Sequence, residues 1–226
     1  MTDLSGWTAR QPPDGRVLAG RLVRLERLDP DRHGASLGAH LSGPGTADLY
    51  VYLADPVPAG AADVAAWAQR VAPLRDPFFY AVVDVVTGHA VGRLSLMRID
   101  PANGVIEVGH VLYAPSLQRS QHATEVQYLL ARHVFGDLGY RRYEWKCNAL
   151  NAPSWRAALR LGFNFEGVFR QHMVVKGANR DTAWFSMLDG EWPARRAAFE
   201  AWLDPSNFTA DGVQKMPLGG KRAEGR

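Results

Sequence analysis

A polar loop, Gln118–Ala123, lies between a predicted strand and a predicted helix that begins at Thr124. A loop that enters a helix N-terminus presents unpaired backbone N–H groups and the positive end of the helix dipole. Such a site attracts phosphate groups. Because every strand-to-helix turn shares these properties, the loop alone is only weak evidence for an anion site.

Metal and thiol chemistry are disfavoured by the spacing of the remaining reactive residues. The seven histidines never occur as His-x-x-x-His or beside carboxylates at ligand spacing, so we expect no metal site. Cys147 follows Trp145 and Lys146 on a predicted interior strand, where we expect a buried, unreactive thiol. A single cysteine excludes an internal disulfide and suits a reducing compartment.

The composition is that of an ordinary globular protein. The 226 residues are 46% hydrophobic and 22% charged, which excludes collagen-like and disordered classes. Without a signal-peptide pattern or a run of about 18 apolar residues, we expect a soluble cytoplasmic protein with no membrane partner.

The net charge of +3 is unevenly distributed along the chain. Residues 1–140 contain 12 Lys/Arg against 14 Asp/Glu, whereas residues 141–226 contain 14 against 9. A solvated basic face explains this excess most simply. A small polyanionic ligand is favoured over nucleic acid as the alternative, since no block of five or six basic residues occurs.

Alternating apolar residues and turn signals predict the elements that must position the loop. The predicted strands are 22–28, 78–84, 90–98, 105–112, 142–147, 165–174 and 182–188. The predicted helices are 30–41, one capped by Asp63, one from Thr124 to Gly139, 154–161 and 194–203. This order predicts one α+β domain over residues 17–203, with a mixed, mostly antiparallel sheet of about seven strands flanked by helices. Residues 1–16 form an N-terminal extension and residues 204–226 a C-terminal tail in this interpretation.

Four segments together resemble the GCN5-related N-acetyltransferase (GNAT) superfamily, and more closely its branch of ribosomal-protein N-terminal acetyltransferases. They are Val105-Ile106-Glu107-Val108-Gly109-His110, Gln118-Arg119-Ser120-Gln121-His122-Ala123-Thr124-Glu125, Asn151-Ala152-Pro153-Ser154 and Leu161-Gly162-Phe163. The most specific piece is Asn-x-x-Ser with Leu-Gly-Phe ten residues after the asparagine. The resemblance implies a GNAT-like fold whose fourth and fifth strands, 105–112 and 142–147, splay apart.

The resemblance also implies acetyl-CoA as co-substrate, and the histidine spacing described above predicts no metal beside it. Its pantetheine arm would enter between the splayed strands, where Asn151 could hold an amide or simply cap the following helix. The pyrophosphate would meet the loop, and the cofactor-binding residues implied are Val111, Gln118, Arg119, Ser120, Gln121, His122, Ala123, Thr124 and Asn151. Gln121 stands where the family pattern has glycine, which leaves a different acyl donor open.

Catalytic roles follow from the attack of an amine on a thioester that the resemblance implies. Glu107 is the candidate general base, with a carboxylate paired to an arginine as the structural alternative. His110 is a second candidate base, although a packed histidine is the simpler interpretation. Ser154 is the candidate acid, because Ala158 occupies the position where other members carry a tyrosine. A serine that bonds the local backbone at the helix start is the structural alternative. The backbone N–H of Val111 could bind the carbonyl oxygen as it gains charge.

These inferences predict an acetyl-CoA-dependent N-acetyltransferase that acts on a primary amine, of a small molecule or a protein N-terminus, by direct attack in a ternary complex. An acyltransferase that uses an aminoacyl-tRNA and a non-catalytic acyl-CoA-binding module are the alternatives. Nucleic acid enters only through the tRNA alternative, and a homodimer stays open. The acceptor pocket is less defined, since several aromatic residues could line it or belong to the core: Tyr50, Tyr52, Trp67, Trp184 and Phe185.

Overall fold

The strand meander predicted from residue 78 onward forms the centre of one eight-stranded sheet in the computed structural model, which describes residues 3–218. The strands are β1 (Leu18–Ala19), β2 (Val23–Arg27), β3 (Phe78–Asp84), β4 (Ala90–Asp100), β5 (Val105–Tyr113), β6 (Arg142–Asn148), β7 (Asn164–Val175) and β8 (Ala178–Leu188). They are ordered β1-β2-β3-β4-β5-β6-β8-β7, and β5 and β6 pair in parallel. The α+β class and mixed sheet are therefore confirmed. The strand count is eight rather than about seven, because the two-residue β1 pairs with β2 at the sheet edge.

Five α-helices connect and cover the strands. They are α1 (Pro30–Leu41), α2 (Ala61–Val71), α3 (Gln121–Arg132), α4 (Ala152–Arg160) and α5 (Trp192–Leu203). A π-helical turn, His133–Asp137, extends α3 and precedes Gly139, whose φ of 68° ends the helical segment. In the described part of the chain, no helix is both long enough and apolar enough to cross a bilayer.

Helices α2 to α5 each begin earlier than the sequence predicts, and for α2 and α3 the predicted cap is also wrong. Helix α2 begins at Ala61, and Asp63 is not its N-cap; the Asp63 carboxylate instead accepts a hydrogen bond from the backbone N–H of Ala59 at 2.7 Å. Helix α3 begins at Gln121 rather than Thr124, because the Ser120 hydroxyl accepts the N–H of Ala123 at 3.1 Å. The predicted loop is thus shorter, and half of it belongs to the first helical turn.

The two faces of the sheet are covered by different helices. Alternate residues of β3 point to opposite faces, as the period of two requires. Phe79 and Ala81 pack in a cluster with α1 and α2. Tyr80 and Val82 join the larger cluster with α3 and α5. Among the described residues, the cluster of α1 and α2 extends as far as Leu112 of β5 and contains no residue of β6 or β8.

Segments on either side of the predicted domain pack on it. In the N-terminal extension, the Trp7 indole donates a hydrogen bond to the carbonyl of Ala102 at 2.7 Å. After α5, the amide of Asn207 donates to the carbonyl of Trp202 at 3.0 Å. The Trp202 indole donates in turn to Gln214 at 2.8 Å. Residues 1–2 and 219–226, the ends of the predicted extension and tail, lie outside the described residues.

Candidate active site

Strands β5 and β6 separate part of the way along their length. Residues 105–108 of β5 pair with residues 142–145 of β6, and the pairing stops there, although β5 continues to Tyr113 and β6 to Asn148. Beyond the last pair lies a cavity of about 1410 Å³ that residues of both strands line. Backbone groups at such an opening can pair with an extended, amide-containing molecule. The separation is between the two strands that the family resemblance implies to splay apart.

A bulge in β5 lies at the point of separation. Ser95 of β4 faces Gly109 and Arg93 faces Leu112, so two β5 residues, His110 and Val111, oppose a single β4 residue. His110 has a φ of 51°, which few residues other than glycine adopt. A bulge bends its strand away from its neighbours. It therefore contributes to the opening between β5 and β6.

Arg93 supports the bulge from the buried side. Its side chain is 2% exposed and lies 2.5 Å from the Asp55 carboxylate. The guanidinium stacks 4.0 Å from the Trp67 ring and donates to the carbonyl of His110 at 3.4 Å. Sequence reasoning missed this residue, since nothing in its sequence context distinguishes a buried arginine from the many surface ones.

The loop before α3 presents free backbone donors to the cavity. Among the described residues, the N–H groups of residues 119–122 find no acceptor in the protein. The Ser120 hydroxyl fixes the loop by donating to the carbonyl of Leu117 at 2.6 Å while it accepts from Ala123. The residue with positive φ is Arg119, at 54°, and Gln121 is the first helical residue. The position of Gln121 therefore requires no glycine.

Glu125 anchors this helix end to the sheet. Its buried carboxylate accepts the backbone N–H groups of Arg21, Leu22 and Val23 at 3.0, 2.7 and 2.8 Å. A carboxylate that accepts several N–H groups forms strong, charge-assisted bonds. Glu125 thus fixes the position of α3 relative to β2. A glutamate at a core position of a helix is unusual and could be recognised in the sequence. The sequence does not show which groups it binds.

Glu107 lies in the cavity wall within a group of buried charges. Its carboxylate is 6% exposed and lies 2.9 Å from the Lys146 ammonium and 3.2 Å from the Arg98 guanidinium. Lys146 also contacts Glu144 at 2.7 Å. Burial raises the pKa of Glu107, and the neighbouring Lys146 and Arg98 offset only part of that effect. Glu107 is therefore paired to cations and also lines the cavity, which combines the two interpretations of the sequence.

Ser154 and Asn151 lie together on the other side of the cavity, at the start of α4. The Asn151 side chain accepts the N–H of Ser154 at 3.1 Å, so it caps the helix, as one of the two interpretations expects. The Ser154 hydroxyl accepts the Trp145 indole N–H at 2.9 Å, which leaves its own proton available to donate. The nearby Cys147 is buried as predicted, and burial raises the pKa of its thiol.

Both candidate histidines line the cavity, and each has a packing partner. The His110 ring lies 5.1 Å from the Phe79 ring, and burial together with Arg93 lowers the pKa of His110. His122 lies 3.4 Å from the Asp84 carboxylate of β3. The packed interpretation of His110 therefore accounts for its environment. Among residues 3–218, no group of three or more His, Cys, Asp or Glu side chains could hold a metal ion.

The far end of the cavity is bounded by the 46–55 segment and the β7–β8 hairpin. Of the aromatic candidates for this wall, Tyr52 lines the cavity, whereas Tyr50, Trp67 and Phe185 belong to the core. Trp184 covers the Lys146 ammonium at 3.7 Å. His172, Met173 and Arg180 of the hairpin complete the lining. The segment between α1 and α2 and the last hairpin thus enclose this end of the cavity, and no residue of α1 or α2 is among the described residues that line it.

A family model described as an acetyltransferase (GNAT) domain matches residues 23–164, more than half of the chain. The chain belongs to the GNAT acetyltransferase family. The matched residues include the four segments on which the resemblance rests, the separated strands and the loop before α3. The GNAT family generally uses acetyl-CoA and acts on amine acceptors.

Solved structures and a curated relative agree with this family. A GCN5-related N-acetyltransferase from Brucella melitensis is 50% identical with a TM-score of 0.93, and the match covers 95% of this chain and 97% of that chain. An "Uncharacterized N-acetyltransferase p20" from Bacillus licheniformis is 28% identical over 113 residues. That match covers 50% of this chain and 63% of the relative's length.

A putative ribosomal-protein-serine acetyltransferase from Vibrio cholerae is 20% identical with a TM-score of 0.63, over 79% of this chain and 99% of that chain. At this identity the likeness concerns the fold. The branch within the superfamily therefore stays a prediction.

Proposed function

We propose that this protein transfers the acetyl group of acetyl-CoA to a primary amine by direct attack in a ternary complex. The observation that carries the proposal is one continuous cavity. It begins at the free N–H groups of residues 119–122, passes between the separated strands β5 and β6, and includes Glu107 in its wall.

The residues around the cavity fit the parts of acetyl-CoA. The free N–H groups of residues 119–122 and the N-terminus of α3 suit its pyrophosphate. Arg156 and Arg160 of α4 line the same end and supply positive charge. The unpaired stretch of β5 suits the amides of the pantetheine arm. The proposed binding residues are Val111, Gln118, Arg119, Ser120, Gln121, His122, Ala123, Thr124 and Asn151.

When bound, acetyl-CoA supplies a thioester carbonyl that an amine can attack. An ammonium group must first lose its proton, and Glu107 is the proposed acceptor, directly or through a water molecule. Because burial raises the pKa of Glu107, its carboxylate is a better proton acceptor than an exposed one. Lys146 and Arg98 hold that carboxylate in place.

Two further groups stabilise the charge that moves during transfer. The N–H of Val111, at the β5 bulge, is the proposed donor to the carbonyl oxygen. The Ser154 hydroxyl, held by the Trp145 indole, is the proposed donor to the departing sulfur. The C–N bond forms as the C–S bond breaks. The amine proton passes to Glu107 and the thiolate takes up a proton, which yields an amide and free CoA.

The proposal is tested by CoA release and by binding in parallel. Acetyl-CoA at a hundredfold excess over Kd should stabilise the fold by about 2.7 kcal/mol in a thermal-shift experiment. A thiol-reactive dye should then report CoA release over a panel of amines and N-terminal peptides. Stabilisation without release from any amine would favour a binding module, and the absence of stabilisation would refute acetyl-CoA as donor. Salt-dependent binding of tRNA would instead support an aminoacyl-tRNA as the acyl donor.

The remaining assignments are proposals of the same kind. Residues 17–203 form the proposed acetyltransferase domain, with residues 1–16 and 204–226 as extensions. The cytoplasm is the proposed compartment, since a reducing environment suits the thiol of Cys147. The proposed partner is an amine acceptor, with a homodimer open to test by light scattering.

A further inference from the structure

The cavity contains an arginine for which no counter-ion is found among the described residues. Arg180 of β8 lines the cavity and forms no ion pair or hydrogen bond within residues 3–218, and its Nε atom is buried without a partner. The carboxylates in the cavity lining are Glu107 and Asp48, and neither pairs with Arg180. A partly buried cation without a counter-ion is costly, so an anionic ligand group would be favoured beside it.

The neighbouring cations increase this positive potential. Lys146 is occupied by two carboxylates, Glu107 and Glu144. Arg98 contacts Glu107 with one nitrogen, Nε, at 3.2 Å, and its side chain is 45% exposed, so the rest of its guanidinium can still bind a ligand. Burial lowers the pKa of His172, and Arg98 and Arg180 lower it further, as a positive field requires. The far end of the cavity thus presents two available guanidinium groups beside the proposed base.

The enclosure of this end favours a small molecule. The β7–β8 hairpin bends at Gln171, where φ is 50°, and the pairing shifts from Phe169 with Thr182 to Met173 with Arg180. Beyond the bend, the Lys176 ammonium donates to the carbonyl of Tyr50 at 2.8 Å.

A second hydrogen bond joins the 46–55 segment to the β6–α4 loop. The Tyr52 hydroxyl donates to the carbonyl of Leu150 at 3.1 Å. The 46–55 segment is therefore joined to both the hairpin and the β6–α4 loop, which restricts the entrance to the acceptor end.

From these observations we propose that the acceptor is a small amine that carries a carboxylate, with the carboxylate bound by Arg180 and Arg98 and the amine directed to Glu107. The chemical class is that of amino carboxylic acids. This proposal rests on the proposed function, which supplies the transfer step. Guanidinium groups recognise carboxylates through paired hydrogen bonds, so the same molecule as an amide should be a poorer acceptor.

The test compares α-amino acids with their α-amides and with tripeptides that have a free N-terminus, by kcat/KM from CoA release. Rates are corrected for the fraction of free amine, because the amides have less basic amino groups. The wild-type protein should prefer at least one acid over its amide by about 10- to 100-fold, the range for a hydrogen-bonded charge. Arg180→Gln should remove most of this preference. Arg70→Gln, an exposed arginine of α2, is the matched control and should keep it.

Binding measurements separate this proposal from the proposed function. Calorimetry of the same acid and amide pairs on the protein saturated with CoA should show the acid preference without turnover. If no amine is acetylated but an acid binds through Arg180, the proposed function fails and the carboxylate site stands. If amides or tripeptides bind and react as well as the acids, or Arg180→Gln keeps the preference, the carboxylate proposal is overturned. Equal stabilisation of Arg180→Gln and wild type by acetyl-CoA shows that the variant is folded.

Discussion

Replacing Glu107 by Gln removes one of two carboxylates that share the Lys146 ammonium, at 2.9 Å for Glu107 and 2.7 Å for Glu144. Both carboxylates are buried, but of the two only Glu107 lines the cavity. If Glu107 is the general base, Glu107→Gln should lower kcat by about 100-fold or more, since general-base catalysis contributes about 10²–10⁴-fold. A 100-fold loss corresponds to about 2.7 kcal/mol of transition-state stabilisation.

The pH dependence carries a second part of this prediction. In the wild-type protein, kcat/KM should rise with pH through the raised pKa of Glu107, above the ordinary glutamate value near 4.5. The Glu107→Gln variant should lack this acidic limb and keep only the titration of the amine. Continuous CoA-release assays from pH 4.5 to 9 with one acceptor would show both profiles.

Glu107→Gln should lower kcat, but it should not lower the folding stability. Because the pKa of Glu107 is raised in the folded chain, the fold binds this proton more tightly than the unfolded chain does. That contribution to stability is present below the unfolded pKa and is lost as the pH rises through the folded one. Glu107→Gln should therefore be at least as stable as wild type at pH 7, while Glu144 keeps Lys146 paired. The melting temperature at several pH values measures this.

Glu144→Gln is the matched control, since it removes the same charge from the same lysine. The negative charge of Glu144 contributes to the raised pKa of Glu107, so this variant should shift the acidic limb to lower pH and keep most of kcat. Equal losses of kcat in the two variants would mean that the charge cluster is structural. An unchanged kcat in Glu107→Gln would show that Glu107 is not the general base.

Three other substitutions test separate parts of the site. Ser154→Ala should lower kcat and leave the KM for acetyl-CoA nearly unchanged. If kcat falls and KM rises only as far as the variant is destabilised, Ser154 has no role at the departing sulfur. Glu125→Gln weakens the bonds to three backbone N–H groups, so urea unfolding should show a loss of about 1–3 kcal/mol and calorimetry weaker acetyl-CoA binding. Arg93→Met leaves the half-buried Asp55 carboxylate without its cation and should cost about 1.5–3 kcal/mol in urea unfolding. The added replacement Asp55→Leu should recover part of that cost, and no recovery would contradict a stabilising Arg93–Asp55 pair.

The fold could be predicted from the sequence because its strands carry strong local patterns. Strand β3 was predicted with the bounds that the structure has, Phe78–Asp84, since a run of apolar residues ends at a Thr-Gly turn. Helix starts were less predictable. The cap of α3 is Ser120 and not Thr124, because two residues with similar side chains compete and only the local backbone decides between them.

Much of the site depends on contacts between residues distant in sequence, which no local pattern shows. Arg93 and Asp55 are separated by 38 positions, and Glu125 meets residues more than 100 positions away. The bulge at His110 is likewise seen only in the pairing with β4, and its positive φ falls on His110 rather than on the adjacent Gly109. The motifs did predict where the cavity lies, because the family resemblance identified the two strands that separate.

The cavity between β5 and β6 is proposed to bind acetyl-CoA and to deliver its acetyl group to an amine. The most direct measurement is mass spectrometry of an amine panel after incubation with the protein and acetyl-CoA labelled with heavy isotopes in the acetyl group. We expect a labelled amide whose yield equals the CoA released and falls about 100-fold with Glu107→Gln. Acetyl-CoA bound without any labelled amide, from a panel that includes amino acids and N-terminal peptides, would contradict it.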